Sequence, residues 1–376
     1  MKPPASILSS ATLLAALAFQ AVAEDTPPAP PEPIRIEVRD APLEFEIIAE
    51  ETYYGMAALP EFAVLTQPRS LSILRPGSDT PEPAVNLLEI PAEIDYFGAT
   101  RAVEGHILIS VGSYDEERRR KEAATPRGGY VAGPKPAGIL VITANPPAVQ
   151  WIKSCRVIHW PKPDELDKEI AGPPPENFVP GMQDARRIDG KLHIADYGRL
   201  GILDLEKETW HGLDADWAMH FSRIGPVKDP SGRLFIGCDE GGLAGGFVKW
   251  LDGEKKGNIS LSPASAPGEI LGLGNRIFVT TDKGLAEVTD PAGQPVVRHF
   301  VDQDGKSPIG ESYGLAPHGD ALLVTAVNRL FRFDPAKGHA TLHKLPDDTE
   351  FYRICIFDGH IHALGPNKLA RIQLPE

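Results

Sequence analysis

Three cysteines in 376 residues give this chain no disulfide framework to fold around. The count is odd, and Cys155, Cys238 and Cys355 fall in different copies of the repeat described below, so buried free thiols in strands are expected. After the N-terminus no apolar run approaches the roughly 20 residues needed to cross a bilayer. Walker loop, dinucleotide glycine fingerprint and Cys-x-x-Cys are all missing. Basic charge is short as well: 38 Lys and Arg face 52 Asp and Glu, a formal net charge of -14. That field repels nucleic acid and anionic lipid, so neither nucleic-acid binding nor membrane insertion is expected.

What is present is turn chemistry. The 37 prolines are about twice average usage, which disfavours long helices and suits short strands. The first 23 residues read as a signal peptide: Lys2, an apolar stretch from Ile7 to Phe19, and Ala21-Val22-Ala23 as the cleavage site. Cleavage would remove one base and no acids, leaving a mature charge of -15. Residues 24–33, "EDTPPAPPEP", read as a stiff linker, and 34–376 as one domain. A soluble protein of the periplasm or the exterior is expected.

A hairpin recurs along that domain. Gly105, Gly190, Gly232, Gly274, Gly319 and Gly359 open successive copies at intervals of 85, 42, 42, 45 and 40, and Glu61 takes the equivalent place 44 residues before Gly105. The interval of 85 holds one unit, "HILISVG" and "AGILVITANPP", spread by inserts at 113–136 and 160–181. A period near 42 with four short strands per unit predicts an all-β fold: a β-propeller of seven four-stranded antiparallel blades, six and eight being the neighbouring counts. "LEFEIIAE" (43–50) is expected to supply the outer strand of the blade ending in "NKLARIQLPE".

"SGRLFIGCDEGGL" and "GNRIFVTTDKGL" resemble the propeller repeats in the sensory ectodomains of hybrid two-component regulators. "DGKLHIADYGRLGILD" is similar to repeats of NHL and gluconolactonase-like propellers. The resemblance implies blade geometry rather than a reaction. The Glu-Gly-Pro signature that supplies a metal ligand in the gluconolactonase family is missing here.

In a propeller, B–C and D–A connections emerge at one end of the ring. The insert at 113–136 is a B–C connection and that at 160–181 a D–A connection, so both should rise from the same face. Ser113 and Glu116 have capping-box spacing, which predicts a short helix over 118–122. A strands begin at that face and should line the channel mouth. Three carry an acid just before an aromatic: Asp95-Tyr96, Glu311-Ser312-Tyr313 and Glu350-Phe351-Tyr352. Asp184, Arg187, His220 and Arg223 fall among them, and Trp160, with Trp217 and Tyr130, in the loops above. Acids beside rings suit a cation or a sugar. The same residues also suit a hydrated ring of ion pairs.

Gly310-Glu311-Ser312-Tyr313-Gly314 matches the nucleophile-elbow pattern, but no helix-forming stretch follows it. His360 and His362 share one strand face at a spacing that can chelate a metal, with no third ligand near in sequence, and blade packing explains them more simply. Two functions remain open. On the first, the chain binds a small molecule, glycan or protein on its loop-rich face, without catalysis or cofactor. On the second, it is a metal-dependent hydrolase, lactonase or lyase at the channel mouth, with Asp184, His220 and Glu311 as catalytic groups and calcium or zinc in the channel.

Overall fold

The positions that the sequence spaces near 42 residues apart turn out to be tight turns. Glu104-Gly105, Asp189-Gly190 and Asp358-Gly359 all hold positive φ at both residues, as a type I′ hairpin requires. The computed structural model describes residues 32–41, 43–113, 135–161, 175–196, 199–214, 220–224, 233–239, 246–252, 255–264, 267–273, 276–289, 295–345 and 349–374, with backbone alone for 39, 220–224, 238 and 239. The expected signal peptide, the helix over 118–122, Tyr130 and Trp217 lie outside the described residues.

Among the described residues the fold is all β apart from one 3-10 turn, Ala84–Asn86, and it builds seven blades. Three strands come first: β1 (Ile34–Arg35), β2 (Glu37–Ala41) and β3 (Glu44–Ala49). Blade 1 is β4 (Gly55–Ala58), β5 (Ala63–Gln67), β6 (Ser70–Leu74) and β7 (Glu82–Pro83). Blade 2 is β8 (Tyr96–Val103), β9 (His106–Ser113), β10 (Lys135–Ala144) and β11 (Pro147–Ile152). Next come β12 (Cys155–His159) and β13 (Asn177–Phe178), then blade 3 proper: β14 (Asp184–Ile188), β15 (Lys191–Asp196), β16 (Arg199–Asp204) and β17 (Thr209–Gly212). Blade 4 is β18 (His220–Ile224), β19 (Leu234–Asp239), β20 (Phe247–Asp252) and β21 (Lys255–Ser260). Blade 5 is β22 (Pro267–Leu273), β23 (Arg276–Thr281), β24 (Gly284–Thr289) and β25 (Val296–Val301). Blade 6 is β26 (Ser312–His318), β27 (Ala321–Ala326), β28 (Arg329–Asp334) and β29 (His339–Lys344). Blade 7 is β30 (Arg353–Phe357), β31 (His360–Gly365) and β32 (Lys368–Gln373).

The innermost strands touch in the cyclic order β4, β8, β14, β18, β22, β26, β30 and back to β4, so the ring closes. Its core is divided between the blade interfaces. Seven apolar clusters are present, each spanning two adjacent blades, such as Val64 and Ile73 against Ile109 and Leu140 between blades 1 and 2. Burial on both sheet faces explains the continuous apolar strands: all six residues of β27, "ALLVTA", are buried.

Blade 7 lacks a fourth strand of its own, and β3 supplies it, antiparallel to β32 with Glu44 opposite Gln373, as the sequence suggested. The strap before it was not foreseen. β1 lies parallel to β25 on blade 5, and β2 parallel to β29 on blade 6. Ile36 between them is 2% exposed in the cluster of Phe278, Phe300 and Phe333, and its amide donates to the Val301 carbonyl at 2.8 Å. Just before the insert at 160–181, β12 crosses to the next blade and runs parallel to β17; within the insert, β13 lies antiparallel beside β12.

Strand directions fix the two ends of the ring. Ser113 pairs with Lys135 where β9 gives way to β10, beside Tyr96 at the start of β8. Pro161 abuts Gly212, the last residue of β17. Ser113, Lys135 and Pro161 therefore lie at the end that carries the D–A and B–C connections, called the upper end below. Replacing Ile36 by Ala should lower the unfolding free energy by about 2–4 kcal/mol in denaturant titration. A loss under about 0.5 kcal/mol, the scale of a neutral surface change, would mean that the strap is passive.

Candidate channel and upper mouth

β-Bulges shape the inner strands. Pairing slips between Pro267 and Ile270 in β22 and between Ser312 and Leu315 in β26, and in each case a threonine of the next strand holds the loosened backbone. The Thr280 hydroxyl accepts from Glu269 N at 2.7 Å and donates to the Tyr313 carbonyl at 3.3 Å, tying blade 5 to blade 6. The Thr325 hydroxyl accepts from Gly314 N at 2.8 Å. A side chain on Gly314 would meet the Thr325 hydroxyl at 2.7 Å and the Arg353 backbone at 3.2 Å, so a residue without Cβ is required there. These contacts set Glu269 and Tyr313 on the channel side.

Inside the channel the charges are paired across blades. Arg101 of β8 donates through Nε to Asp184 of β14 and through Nη2 to Glu269 of β22, the latter at 3.2 Å. Arg186 Nε lies 4.0 Å from the second Asp184 oxygen, and Arg353 Nη1 lies 3.9 Å from Glu269 Oε1. Burial opposes the charge on Arg101, but the carboxylates of Glu269 and Asp184 more than offset it and push its pKa up. A cavity of about 300 Å³ opens along this network, walled by Met56, Leu271, Leu315 and Ile354 as well as by the arginines and Glu269.

A second cavity, of about 330 Å³, forms the upper mouth over blades 5 to 7 and is lined by Glu269, Asp282, Glu311, Tyr313, Tyr352 and Arg353. Burial, the charge of and hydrogen bond to Glu311, and the charge of Glu350 all raise the Tyr313 pKa, so these three polar groups are neighbours. Tyr352 donates to the Tyr53 carbonyl at 2.5 Å, which anchors its ring to blade 1.

The residues singled out from sequence thus separate into groups. Glu311, Tyr313, Glu350 and Tyr352 come together at one arc of the mouth. Tyr96, half-buried, begins β8 on blade 2, and Asp95, exposed, precedes it. Asp184 is fully buried and committed to arginines. Arg187 sits at the other end of the ring, three residues further along its strand, bonded to Glu104 at 3.1 Å and to the Gly190 carbonyl. Trp160 packs edge-on to Phe178 at 5.4 Å with the Arg199 guanidinium 4.9 Å from its ring, as part of the blade 2–blade 3 packing. For His220 and Arg223 only the backbone of β18 is described, His220 pairing with Asp239. Sequence reasoning missed Arg101, Glu269, Asp282 and Arg353. The available signal was an ionisable residue inside an otherwise apolar inner strand.

Ser312 does not stand on an elbow. It lies within β26, 3% exposed, its hydroxyl donating to the Thr281 carbonyl and accepting from the Thr281 amide, each at 3.2 Å. His362 is buried against Phe357, and burial pushes its pKa down to about 4. Among the described residues no three His, Cys, Asp or Glu are grouped to hold a metal ion. Cys155 and Cys355 are free thiols, pushed up to about 12 by burial.

The sequence matches no protein-family model and no curated protein. Solved structures do match. YCF48 bound to a D1 peptide shares 12% identity and a TM-score of 0.56 over 92% of this chain and 98% of that one. The extracellular domain of a putative hybrid two-component system from B. thetaiotaomicron shares 12% identity and a TM-score of 0.57 over 88% of this chain and 42% of that one. Virginiamycin B lyase from Staphylococcus aureus shares 13% identity and a TM-score of 0.55 over 89% of this chain and 99% of that one. At such identities the likeness establishes the fold: this chain is a seven-bladed β-propeller that resembles two-component-system propellers, as its repeats suggested. A fold neighbour bound to a peptide and one named as a lyase stand side by side, so the fold does not choose between the two functions.

Removing the arginine that joins both carboxylates leaves two buried charges with weaker partners. Arg101→Met should cost about 3–5 kcal/mol of unfolding free energy, and a loss below about 1 kcal/mol would mean that Arg186 and Arg353 suffice. His362 titrates below its usual 6.5, so the unfolded chain takes up the proton first. Its contribution is complete above about pH 6.5 and is lost as pH falls towards 4, a span worth roughly 3 kcal/mol. Chemical denaturation at stepped pH should show His362→Gln losing less stability than the parent over that window, whereas parallel curves would place the acid sensitivity elsewhere.

Proposed function

We propose that this chain is an exported, periplasmic or secreted, non-catalytic propeller that binds a partner on its upper face. The observation that carries the reading is the mouth cavity, where Tyr313 and Tyr352 stand with Asp282 and Glu311 between three blades. Carboxylates beside rings fit a lysine or arginine side chain of a protein partner: the ring covers the aliphatic stem and the acid pairs with the charge. Ser113, Lys135 and Pro161 lie at the same end, and the sequence inserts they border would widen the contact. Export rests on Lys2, the apolar stretch Ile7 to Phe19 and Ala21-Val22-Ala23.

Binding is favoured over the hydrolase, lactonase or lyase reading by the state of Asp184, one of the three catalytic groups that reading uses. Asp184 is fully buried and held by Arg101, so it is not poised to take a proton from a substrate.

The full mature chain should be titrated calorimetrically with a short lysine-rich peptide and with its glutamate-rich counterpart. The lysine peptide should bind and the acidic one should not, with affinity falling about tenfold in Glu311→Gln/Glu350→Gln and on raising salt. Equal binding of both peptides, or none, would overturn the reading. So would stoichiometric calcium or zinc found in the purified protein by elemental analysis, which would favour the metal-dependent enzyme.

A further inference from the structure

Three guanidiniums, Arg101, Arg186 and Arg353, reach the channel cavity, against the carboxylates Asp184 and Glu269. Arg101 takes the short contacts with both acids. The second Asp184 oxygen is 4.0 Å from Arg186 Nε, beyond hydrogen-bond range. Arg186 Nε is buried and has no hydrogen-bond partner. Its side chain borders a cavity of about 300 Å³, the space of roughly ten water molecules.

From this geometry we infer that the channel binds a small oxyanion, the carboxylate or phosphate group of a low-molecular-weight ligand, on the planar fork of Arg186, with Arg353 on the facing wall. A guanidinium presents paired N–H donors that match either oxyanion. Met56, Leu271, Leu315 and Ile354 lower the local dielectric and strengthen such a contact. Glu269 lies 3.9 Å from Arg353 and Asp184 lies 4.0 Å from Arg186, so each fork keeps a carboxylate near it, and the three guanidiniums exceed the two acids by one charge. The site is separate from the cation-binding mouth proposed above, although Arg353 borders both cavities.

The test follows binding to the full mature chain by calorimetry and thermal shift. Sodium succinate and sodium phosphate are titrated separately against sodium chloride at matched ionic strength. One saturable site is expected for succinate, phosphate or both, and the tighter of the two identifies the natural oxyanion. Arg186→Gln should weaken binding at least about tenfold, as loss of a charge-assisted bidentate pair does. Arg186→Lys should lose part of it. Arg187→Gln should leave it unchanged, because that guanidinium is bonded to Glu104 and Gly190 at the far end of the ring. A response no larger than that of chloride, or one equal in Arg186→Gln and the parent, overturns the inference. Arg186→Gln is checked for its native melt first, and where that fails Arg186→Lys supplies the reading.

Discussion

Everything in this molecule depends on closing the ring. An apolar strand with both faces covered is stable only if each blade has a neighbour on either side, and seven interfaces provide that. Closure falls to the outer strand of blade 7, which is borrowed from β3. Without it blade 7 would end in an open edge at β32. β1 and β2 extend the same solution to blades 5 and 6, so one N-terminal strap covers three consecutive blades.

A closed ring has a hole, and the hole determines the chemistry available. Inner strands from different blades face one another across it, so charges far apart in sequence become partners. Arg101 meets Asp184 and Glu269, and Arg353 approaches Glu269 from blade 7. Deep in the channel these groups hold blades together. At the upper mouth the acids and rings of blades 5 to 7 are more open, and Glu311 is exposed.

The sequence made the blades legible because the turns demand particular residues. Positive φ at Gly105, Gly190 and Gly359 selects glycine, and Asp334 accepts from Ala336 N and Lys337 N in the turn that its Asp-Pro start announces. The blade count and the borrowed strand followed from that rhythm. β1, β2, β12 and β13 did not, because they are short additions outside the period, lying beside proline-rich stretches. The channel network was illegible for a different reason. Its partners lie 83 and 168 residues apart, and no local pattern marks which inner strands face each other. Arg187 shows the sensitivity to phase: three residues along a strand is roughly 10 Å, enough to carry a side chain from the mouth towards the opposite end.

The strap has a bearing on how the molecule is made. Glu44 pairs with Gln373 and Ile34 with Phe300, so segments that leave the ribosome early wait for partners several blades further along the chain. Loop closure over such spans is slow, and the last blade keeps a bare edge until it is done. Assembly is therefore tied to synthesis through blade 7: a product truncated before it would hold β3 with nothing to dock against.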